Sequence, residues 1–163
     1  TRKKRGGSQD YYIFTSEDDF KNKVSNDFFL EHALVHGNFY GTSKDFVETK
    51  ITEGINIILE IDVQGVQQIK STNFPHESIF LLPPSIESLI ERLNERGTNS
   101  KESIELRLSN AMKEIPSCND YDHILVNDVF EDCCNDLARI ITGEDSFPMN
   151  SKKELFLNKL LNS

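Results

Sequence analysis

The sequence predicts an α/β protein with a mainly parallel sheet, and three observations support this prediction. Short strand-like segments alternate with helical segments along most of the 163 residues. The stretch around Ile57 to Leu59 is an unbroken run of apolar β-formers, which is typical of a parallel strand buried on both faces. Glu60 and Asp62 follow at i and i+2, so both carboxylates leave the same side of that strand. Ligands bind at this carboxyl end in parallel α/β sheets.

Composition limits the classes of function that the chain can have. A hydrophobic content of 37% in this length predicts one compact domain, and a net charge of −9 argues against nucleic-acid or membrane-surface partners. No apolar run is long enough to cross a bilayer. Three cysteines, of which Cys133 and Cys134 are adjacent, favour a reducing compartment over a disulfide framework. We therefore expect a cytoplasmic protein, either a monomer or a homodimer.

The first half of the chain contains strong helix-start signals between aromatic strands. Ser16 is placed to cap one helix, and Ser43 or Thr42 to cap another that continues to about Ile51. Strands are predicted at Tyr11–Thr15 and Phe28–Val35, with a glycine-bounded turn at 36–43. This aromatic, turn-rich part predicts a small mixed sheet next to the parallel core.

The second half alternates more regularly. Predicted helices cover 66–70, 85–96, about 104–115 and 130–142, and predicted strands cover 79–82 and 123–126. The third of these helices has a clean apolar stripe, and Pro83-Pro84-Ser85 marks the start of the second. In the last helix, the periodicity places Cys134 on a packing stripe with Phe130, Leu137, Ala138 and Ile141.

Arginine is scarce in this acidic chain, and most of its arginines are clustered. Of only six arginines, five fall in two groups, Arg2 with Arg5, and Arg92 with Arg96 and Arg107. The planar guanidinium fork matches phosphate oxygens, so this clustering indicates a phosphate-binding site.

Several ordered motifs closely resemble those of guanylate kinase, which transfers a phosphoryl group from ATP to GMP. They are the opening Thr-Arg-x-x-Arg, the block from Glu31 through His36-Gly-Asn-Phe-Tyr-Gly-Thr-Ser43, Leu59-Glu-Ile-Asp-Val-Gln-Gly65, Pro-Pro-Ser, Arg-Gly-Thr and Val126-Asn-Asp128. The resemblance extends from Thr1 to about Ile141. It implies a P-loop-kinase-type three-layer fold with a mainly parallel sheet, a small mixed-sheet GMP-binding subdomain and a helical lid. Mapped onto this chain, the parts are the GMP-binding subdomain (1–54), the core (55–90 and 117–145), the lid (91–116) and a C-terminal tail (146–163).

The resemblance also implies roles for individual residues. Those implied to bind GMP are Arg2, Arg5, Tyr12 and Tyr40 at its phosphate, Glu31 and Thr42 at its base, and Glu60 with Asp62 near the base amine. Glu31 matters most, because a carboxylate accepts hydrogen bonds from the N1–H and amine of guanine, whereas adenine presents an acceptor at N1. Glutamate at position 60 is a modest departure from the family pattern.

The ATP-binding residues implied by the resemblance are Arg92 and Arg96 in the lid and Asn127 at the adenine. The catalytic residues implied are Arg92, Arg96 and Arg107, which neutralise charge on the transferred phosphoryl group. The cofactor implied is Mg²⁺ carried by ATP, with Asp62 as a possible protein contact. No general base is expected, since the attacking phosphate oxygen of GMP is largely ionised at neutral pH.

Two departures from the family pattern leave alternatives open. The glycine-rich phosphate loop that precedes the Thr-Arg motif is not in this sequence, so we expect either a partial chain or one that cannot hold the ATP phosphates. The segment from Arg5 to Tyr12 is also shorter than is usual. The alternative function is a non-catalytic guanylate-kinase-like interaction domain. A third option is another monophosphate kinase, which Glu31 and the sequence block around Tyr40 disfavour.

Overall fold

The structure, a computed structural model, describes residues 12–35, 37–95 and 101–143. The chain divides into two compact units between His76 and Glu77. Of the strand predicted at 11–15, Tyr11 lies outside the described residues, and residues 12–15 of the first unit form neither helix nor strand. Aromatic, β-prone residues there have no strand partner among the described residues, and β-propensity without pairing does not make a strand.

The described part of the first unit, residues 12–35 and 37–76, contains three helices and two strands. They are α1 (Glu17–Ser25), β1 (Phe29–Val35), β2 (Asn38–Ser43), α2 (Lys44–Thr52) and α3 (Val63–Lys70). Ser16 Oγ accepts a hydrogen bond from the Asp19 N–H at 3.1 Å, and Ser43 Oγ accepts one from the Phe46 N–H at 3.4 Å. The predicted caps are therefore confirmed, with Ser43 rather than Thr42 at the second helix.

The strands β1 and β2 form an antiparallel hairpin. Part of the segment that we predicted as a turn is thus a strand, and only the residues around Gly37, with φ of +77°, make the reversal. One face of the hairpin is aromatic and packs on α1. Phe20 of α1 is 3% exposed and stacks on Phe29 and Phe39, with ring centroids 4.6 and 5.3 Å apart.

The segment 55–62 is not the doubly buried strand that the sequence predicts. Among the described residues it has no strand partner, and its burial alternates, with Ile58 68% exposed. Its inward side chains are Ile57, Leu59 and Ile61, and they pack on a core of Leu30, Val47 and Ile69. An unbroken apolar run indicates that both faces are buried, but within this unit only one face is covered. The helix that follows begins at Val63, three residues earlier than predicted, because Asp62 caps it.

Within residues 77–95 and 101–143, the second unit forms a two-stranded parallel sheet with its helices. Its elements are β3 (Ile79–Leu82), α4 (Ile86–Glu95), α5 (Lys101–Glu114), a 3₁₀ helix (Ile115–Asp120), β4 (His123–Val126) and α6 (Phe130–Ile141). The predicted bounds of β3 and β4 are confirmed, and the two strands pair in parallel register. Leu82, Leu125 and Cys118 are the most completely buried side chains of this unit. Ser85 Oγ accepts from the Ser88 N–H at 3.1 Å, which confirms the predicted start of α4.

The packing stripe of α6 differs from the prediction by one residue. Cys133, Leu137 and Ile140 form a cluster with Leu125, whereas Cys134 is exposed and Phe130 is 69% exposed. The helix is apolar on two adjacent stripes, so periodicity alone could not decide which stripe faces β4.

Among the described helices, none combines the length and the apolar character that a membrane span requires.

The two parallel strands are joined at their start by a polar contact. Asp122 Oδ2 accepts from both the N–H and the hydroxyl of buried Ser78, at 2.8 and 2.6 Å. Ser78 Oγ in turn accepts from the Asp122 N–H at 3.1 Å. These bonds hold the loop before β3 against the loop before β4. The next residues along the chain, Ile79 and His123, form the first pair of the two strands.

We expect Asp122→Ala to lower the free energy of unfolding by about 1–3 kcal/mol, because it leaves the buried Ser78 groups unsatisfied. Urea denaturation measures this change. Asp122→Asn, which keeps an acceptor oxygen, is the matched control and should lose less than half as much. Equal stability of wild type and both variants would contradict a structural role for this contact.

Candidate functional site

A β-bulge in β1 turns Glu31 into the interior of the first unit. The register pairs Phe29 with Ser43 and Glu31 with Thr42, so Leu30 is an extra residue in β1. In a regular strand neighbouring side chains point to opposite faces, yet Leu30 and Glu31 are both buried here. The bulge therefore provides an apolar anchor and an inward-facing carboxylate at adjacent positions.

The Glu31 carboxylate is 4% exposed and has a hydroxyl partner across the hairpin. Thr42 Oγ1 donates a hydrogen bond to Glu31 Oε1 at 2.5 Å. Burial raises the pKa of the Glu31 carboxyl, the Thr42 hydrogen bond opposes that rise, and the nearby negative charge of Asp62 adds to it. No cation forms a salt bridge with Glu31 among the described residues. The site is thus a buried acid with acceptor capacity left for an incoming donor.

Tyr40 belongs to the same face of the hairpin. It pairs with Ala33, two residues beyond Glu31, and side chains at alternate positions of a strand share a face. The structure therefore brings together three residues that the resemblance implied to bind GMP, namely Glu31, Tyr40 and Thr42. His32 lies on the opposite face, where its ring is near Phe20 and Phe29.

Asp62 joins this group through α3, and it also caps that helix. Its Oδ1 accepts from the Gly65 N–H at 3.0 Å, and its Oδ2 accepts from Gln64 Nε2 at 2.9 Å. Both carboxylate oxygens thus already have partners within the first turn of α3. Glu60, the other member of the predicted acidic pair, is exposed.

Sequence reasoning missed two residues of α3 that contact this part of β1. Gln68 hydrogen-bonds to both backbone groups of His32, and Gly65 lies directly against the Glu31 carboxylate. The only signal in the sequence was their spacing of three, which places them on one face of a helix after Asp62. Spacing alone does not predict these contacts, because it does not show that the helix packs on β1.

In the second unit, two residues implied to bind ATP contact each other. Arg92 of α4 donates from Nη2 to the backbone carbonyl of Asn127 at 2.8 Å. The N–H of Asn127 donates to the Leu82 carbonyl at 2.8 Å, which continues the pairing of β3 with β4 past the end of β4. Arg92 is therefore held at the carboxyl end of the parallel sheet, where ligands of α/β proteins bind.

Arg107 of α5 has an unmet hydrogen-bonding requirement. Its Nε is buried, and the structure gives that atom no hydrogen-bond partner among the residues it describes. A buried guanidinium N–H without an acceptor is costly, and an oxyanion is the acceptor that suits it best. Arg107 therefore carries a buried donor that none of the described residues satisfies.

The remaining predicted site residues are not in this set. Tyr12 is exposed just before α1, with its ring 6.4 Å from that of Phe14. Arg2, Arg5 and Arg96 lie outside the described residues, so their roles stay predictions. Within 12–35, 37–95 and 101–143, no group of three or more His, Cys, Asp or Glu side chains is placed to hold a metal ion.

Comparison with known proteins identifies the family. The family model for guanylate kinase matches residues 1–144. A guanylate kinase of Hydrogenovibrio crunogenus is 45% identical over 142 residues, which are 86% of this chain and 69% of that protein. A guanylate kinase of Escherichia coli K12 is 44% identical over 147 residues, covering 88% of this chain and 70% of that protein.

A solved structure agrees with these sequence matches. The guanylate kinase of Anaplasma phagocytophilum superposes with a TM-score of 0.73 at 32% identity, over 99% of this chain and 79% of that one. The match supports the predicted α/β kinase fold as well as the family. By sequence and by fold, the chain belongs to the guanylate kinase family.

Proposed function

We propose that this chain transfers the γ-phosphoryl group of ATP to GMP, with Glu31 and Thr42 binding the guanine base and with Arg92 and Arg107 binding phosphate. It is an ATP:GMP phosphotransferase of the guanylate kinase family. The observation that carries the residue assignment is the buried Glu31 carboxylate, which faces Thr42 and has no cation partner among the described residues. A buried acid of this kind is retained at a cost, and selective binding of a base explains that cost.

The base-binding proposal follows from hydrogen-bond complementarity. Guanine offers N1–H and an amine on one edge, and a carboxylate accepts from both. Thr42 Oγ1 fixes one carboxylate oxygen in place before the ligand arrives, so less conformational freedom is lost on binding. Tyr40, on the same face, is proposed to donate its hydroxyl to the GMP phosphate together with Tyr12, Arg2 and Arg5. Glu60 and Asp62 are proposed to lie near the base amine.

For the phosphoryl group, the proposal rests on the arginines. Arg92 is fixed by the Asn127 carbonyl and retains guanidinium N–H groups for an oxyanion, and Arg107 Nε lacks an acceptor. Together with Arg96, they are proposed to neutralise charge on the transferred group, while Asn127 contacts adenine. No proton need be removed by a base, since the attacking oxygen of GMP is largely ionised at neutral pH.

Magnesium is proposed to enter with ATP and not to occupy a protein cage. Mg²⁺ commonly keeps several waters and binds through one or two carboxylates plus substrate phosphates. Each carboxylate oxygen of Asp62 already accepts one hydrogen bond within α3, which leaves it able to make only a limited contact of this kind. When bound, the ion would neutralise charge on the ATP phosphates.

The alternative of a non-catalytic interaction domain finds no support in the comparisons, since the relatives found are named guanylate kinases. We propose a cytoplasmic enzyme with ATP and GMP as its partners, acting as a monomer or homodimer. All three cysteines are described, and none of them forms a disulfide, which suits a reducing compartment.

The central experiment measures ADP release by the full chain with GMP, AMP or UMP as acceptor. We expect turnover with GMP alone, and Glu31→Gln should reduce kcat/KM for GMP by about 100-fold or more while leaving the KM for ATP nearly unchanged. The reason is the loss of two charge-assisted hydrogen bonds, each contributing about 1.5–3 kcal/mol. Two results would refute the role of Glu31. One is wild-type turnover with AMP comparable to that with GMP, and the other is a Glu31→Gln variant that binds ATP and GMP more weakly by the same factor.

Glu31→Gln, which should lower activity, should raise the stability of the protein at neutral pH. Because burial raises the pKa of Glu31 in the folded state, its ionisation favours unfolding, so the contribution of Glu31 to stability falls as pH rises from about 4.5 through the raised pKa. Glu31→Gln removes this loss. The variant should therefore be more stable than wild type at pH 7, and the difference should shrink towards pH 4.

Chemical denaturation across this pH range measures the effect. Glu48→Gln, at an exposed position of α2, is the control and should follow the wild-type pH profile. A Glu31→Gln variant that is less stable than wild type at pH 7 would show that the carboxylate stabilises the empty fold.

Arg107→Met gives a further test. Removing a buried, unpartnered N–H should raise the free energy of unfolding by about 1 kcal/mol, since an unsatisfied group costs about 1–3 kcal/mol. Turnover should fall by at least tenfold, whereas GMP binding measured without ATP should not change. Lys113→Met, on the exposed side of α5, is the control for loss of charge. Unchanged turnover would remove Arg107 from the catalytic group.

A further inference from the structure

The carboxamide of Gln68 links α3 to the backbone of β1 immediately beside Glu31. The His32 N–H donates to Gln68 Oε1 at 3.0 Å, and Gln68 Nε2 donates to the His32 carbonyl at 2.7 Å. A side-chain amide presents the same donor and acceptor as a peptide group, so Gln68 pairs with His32 as a neighbouring strand would. These two bonds fix where β1 lies relative to α3 at the residue next to the carboxylate.

Gly65 lies one turn earlier on the same helix, and it limits the position of the carboxylate itself. A Cβ atom at position 65 would lie 2.7 Å from Glu31 Oε2 and 3.3 Å from Glu31 Cδ. Gly65 is buried and helical and is not one of the positive-φ glycines of the described residues, so it is required for space and not for backbone conformation. The bare backbone at this position is what lets Glu31 lie against α3.

From these contacts we infer that Gln68 and Gly65 are positioning residues that set the selectivity for guanine, by fixing the Glu31 carboxylate against α3. The inference rests on the proposed function, in which Glu31 binds the base. A carboxylate must lie in the plane of the base to accept two bonds at once, and such sites tolerate errors of only about 0.5 Å. Thr42 holds Oε1 from the side of β2, and α3 bounds Oε2 from the other side.

Docking of α3 is supported by apolar packing as well as by the hydrogen bonds of Gln68. The helix buries Ile69, which is 5% exposed and packs with Leu30 and Val47. A methionine at position 68 has a similar length and no hydrogen-bonding amide, so α3 should remain docked on its apolar residues. The expected effect of Gln68→Met is a shift of Glu31 and not loss of the fold.

The experiment measures dissociation constants of GMP and inosine monophosphate by calorimetry on the full chain. Inosine monophosphate lacks the amine of guanine, so the ratio of the two constants reports on carboxylate position. In Gln68→Met we expect the ratio to fall about tenfold, as two neutral hydrogen bonds are lost. Gln67→Met is the matched control, because Gln67 is exposed on the same helix, and it should keep the wild-type ratio.

Gly65→Ala tests the same inference by a different route. Alanine favours a helix more than glycine does, so a purely structural role predicts no loss of selectivity. We expect instead a loss of at least tenfold in the preference for GMP over inosine monophosphate, because the new methyl group displaces Glu31 Oε2. The loss caused by Gly65→Ala should be smaller in a Glu31→Asp background, where the shorter side chain avoids the methyl group.

The possible outcomes separate this inference from the proposed function. Wild type that does not bind GMP overturns both. Wild type that prefers GMP, with Gln68→Met and Gly65→Ala retaining that preference, overturns the positioning role alone. If Gln68→Met does not fold, as judged from its thermal unfolding, the Gly65→Ala result decides.

Discussion

The Glu31 carboxylate in the interior of the first unit is the constraint on which the proposed base-binding site depends. It is nearly fully buried, and the structure pairs it with the Thr42 hydroxyl but with no cation among the described residues. Such a group opposes folding, because burial disfavours its charged form. The fold tolerates this group because Leu30 of β1, Val47 of α2 and Ile69 of α3 pack together in one apolar cluster. The site is therefore placed where apolar packing is strong enough to hold an unfavourable charge.

Local backbone irregularity is what makes this arrangement possible. The bulge at Leu30 changes the register of β1 by one residue, so that Glu31 faces Thr42 and not Gly41. With a regular hairpin, Leu30 and Glu31 would lie on opposite faces, so either the apolar anchor or the carboxylate would point towards α1 and away from α3. On the other face, Gly41 gives the Phe29 ring room, since a Cβ there would approach it to 2.7 Å. Both faces thus depend on small backbone features.

The sequence was sufficient for features that depend on neighbouring residues. The Ser16 and Ser43 caps, and the bounds of β3 and β4, followed from local hydrogen-bonding and periodicity. Predictions that needed knowledge of partners were wrong, as for the run at 57–59, which is covered on one face only within its unit, and for Cys134, which is exposed while Cys133 packs. The bulge and the Gln68 contacts could not be predicted at all, because they join residues from separate elements. Family resemblance named Glu31 and Thr42, but it gave no role to Gly65 and Gln68 of α3.

The two units share one physical property, a polar group that is buried and that the described protein does not fully satisfy. In the first unit it is the Glu31 carboxylate, which can accept more hydrogen bonds, and in the second it is Arg107 Nε, which lacks an acceptor. The first matches the donor edge of a base and the second matches a phosphate oxygen. Each ligand would relieve a cost that the empty fold bears, so binding and stabilisation are coupled at both groups. A chain that must discriminate between similar nucleotides gains from this design, because an analogue without the matching group leaves the buried group unsatisfied.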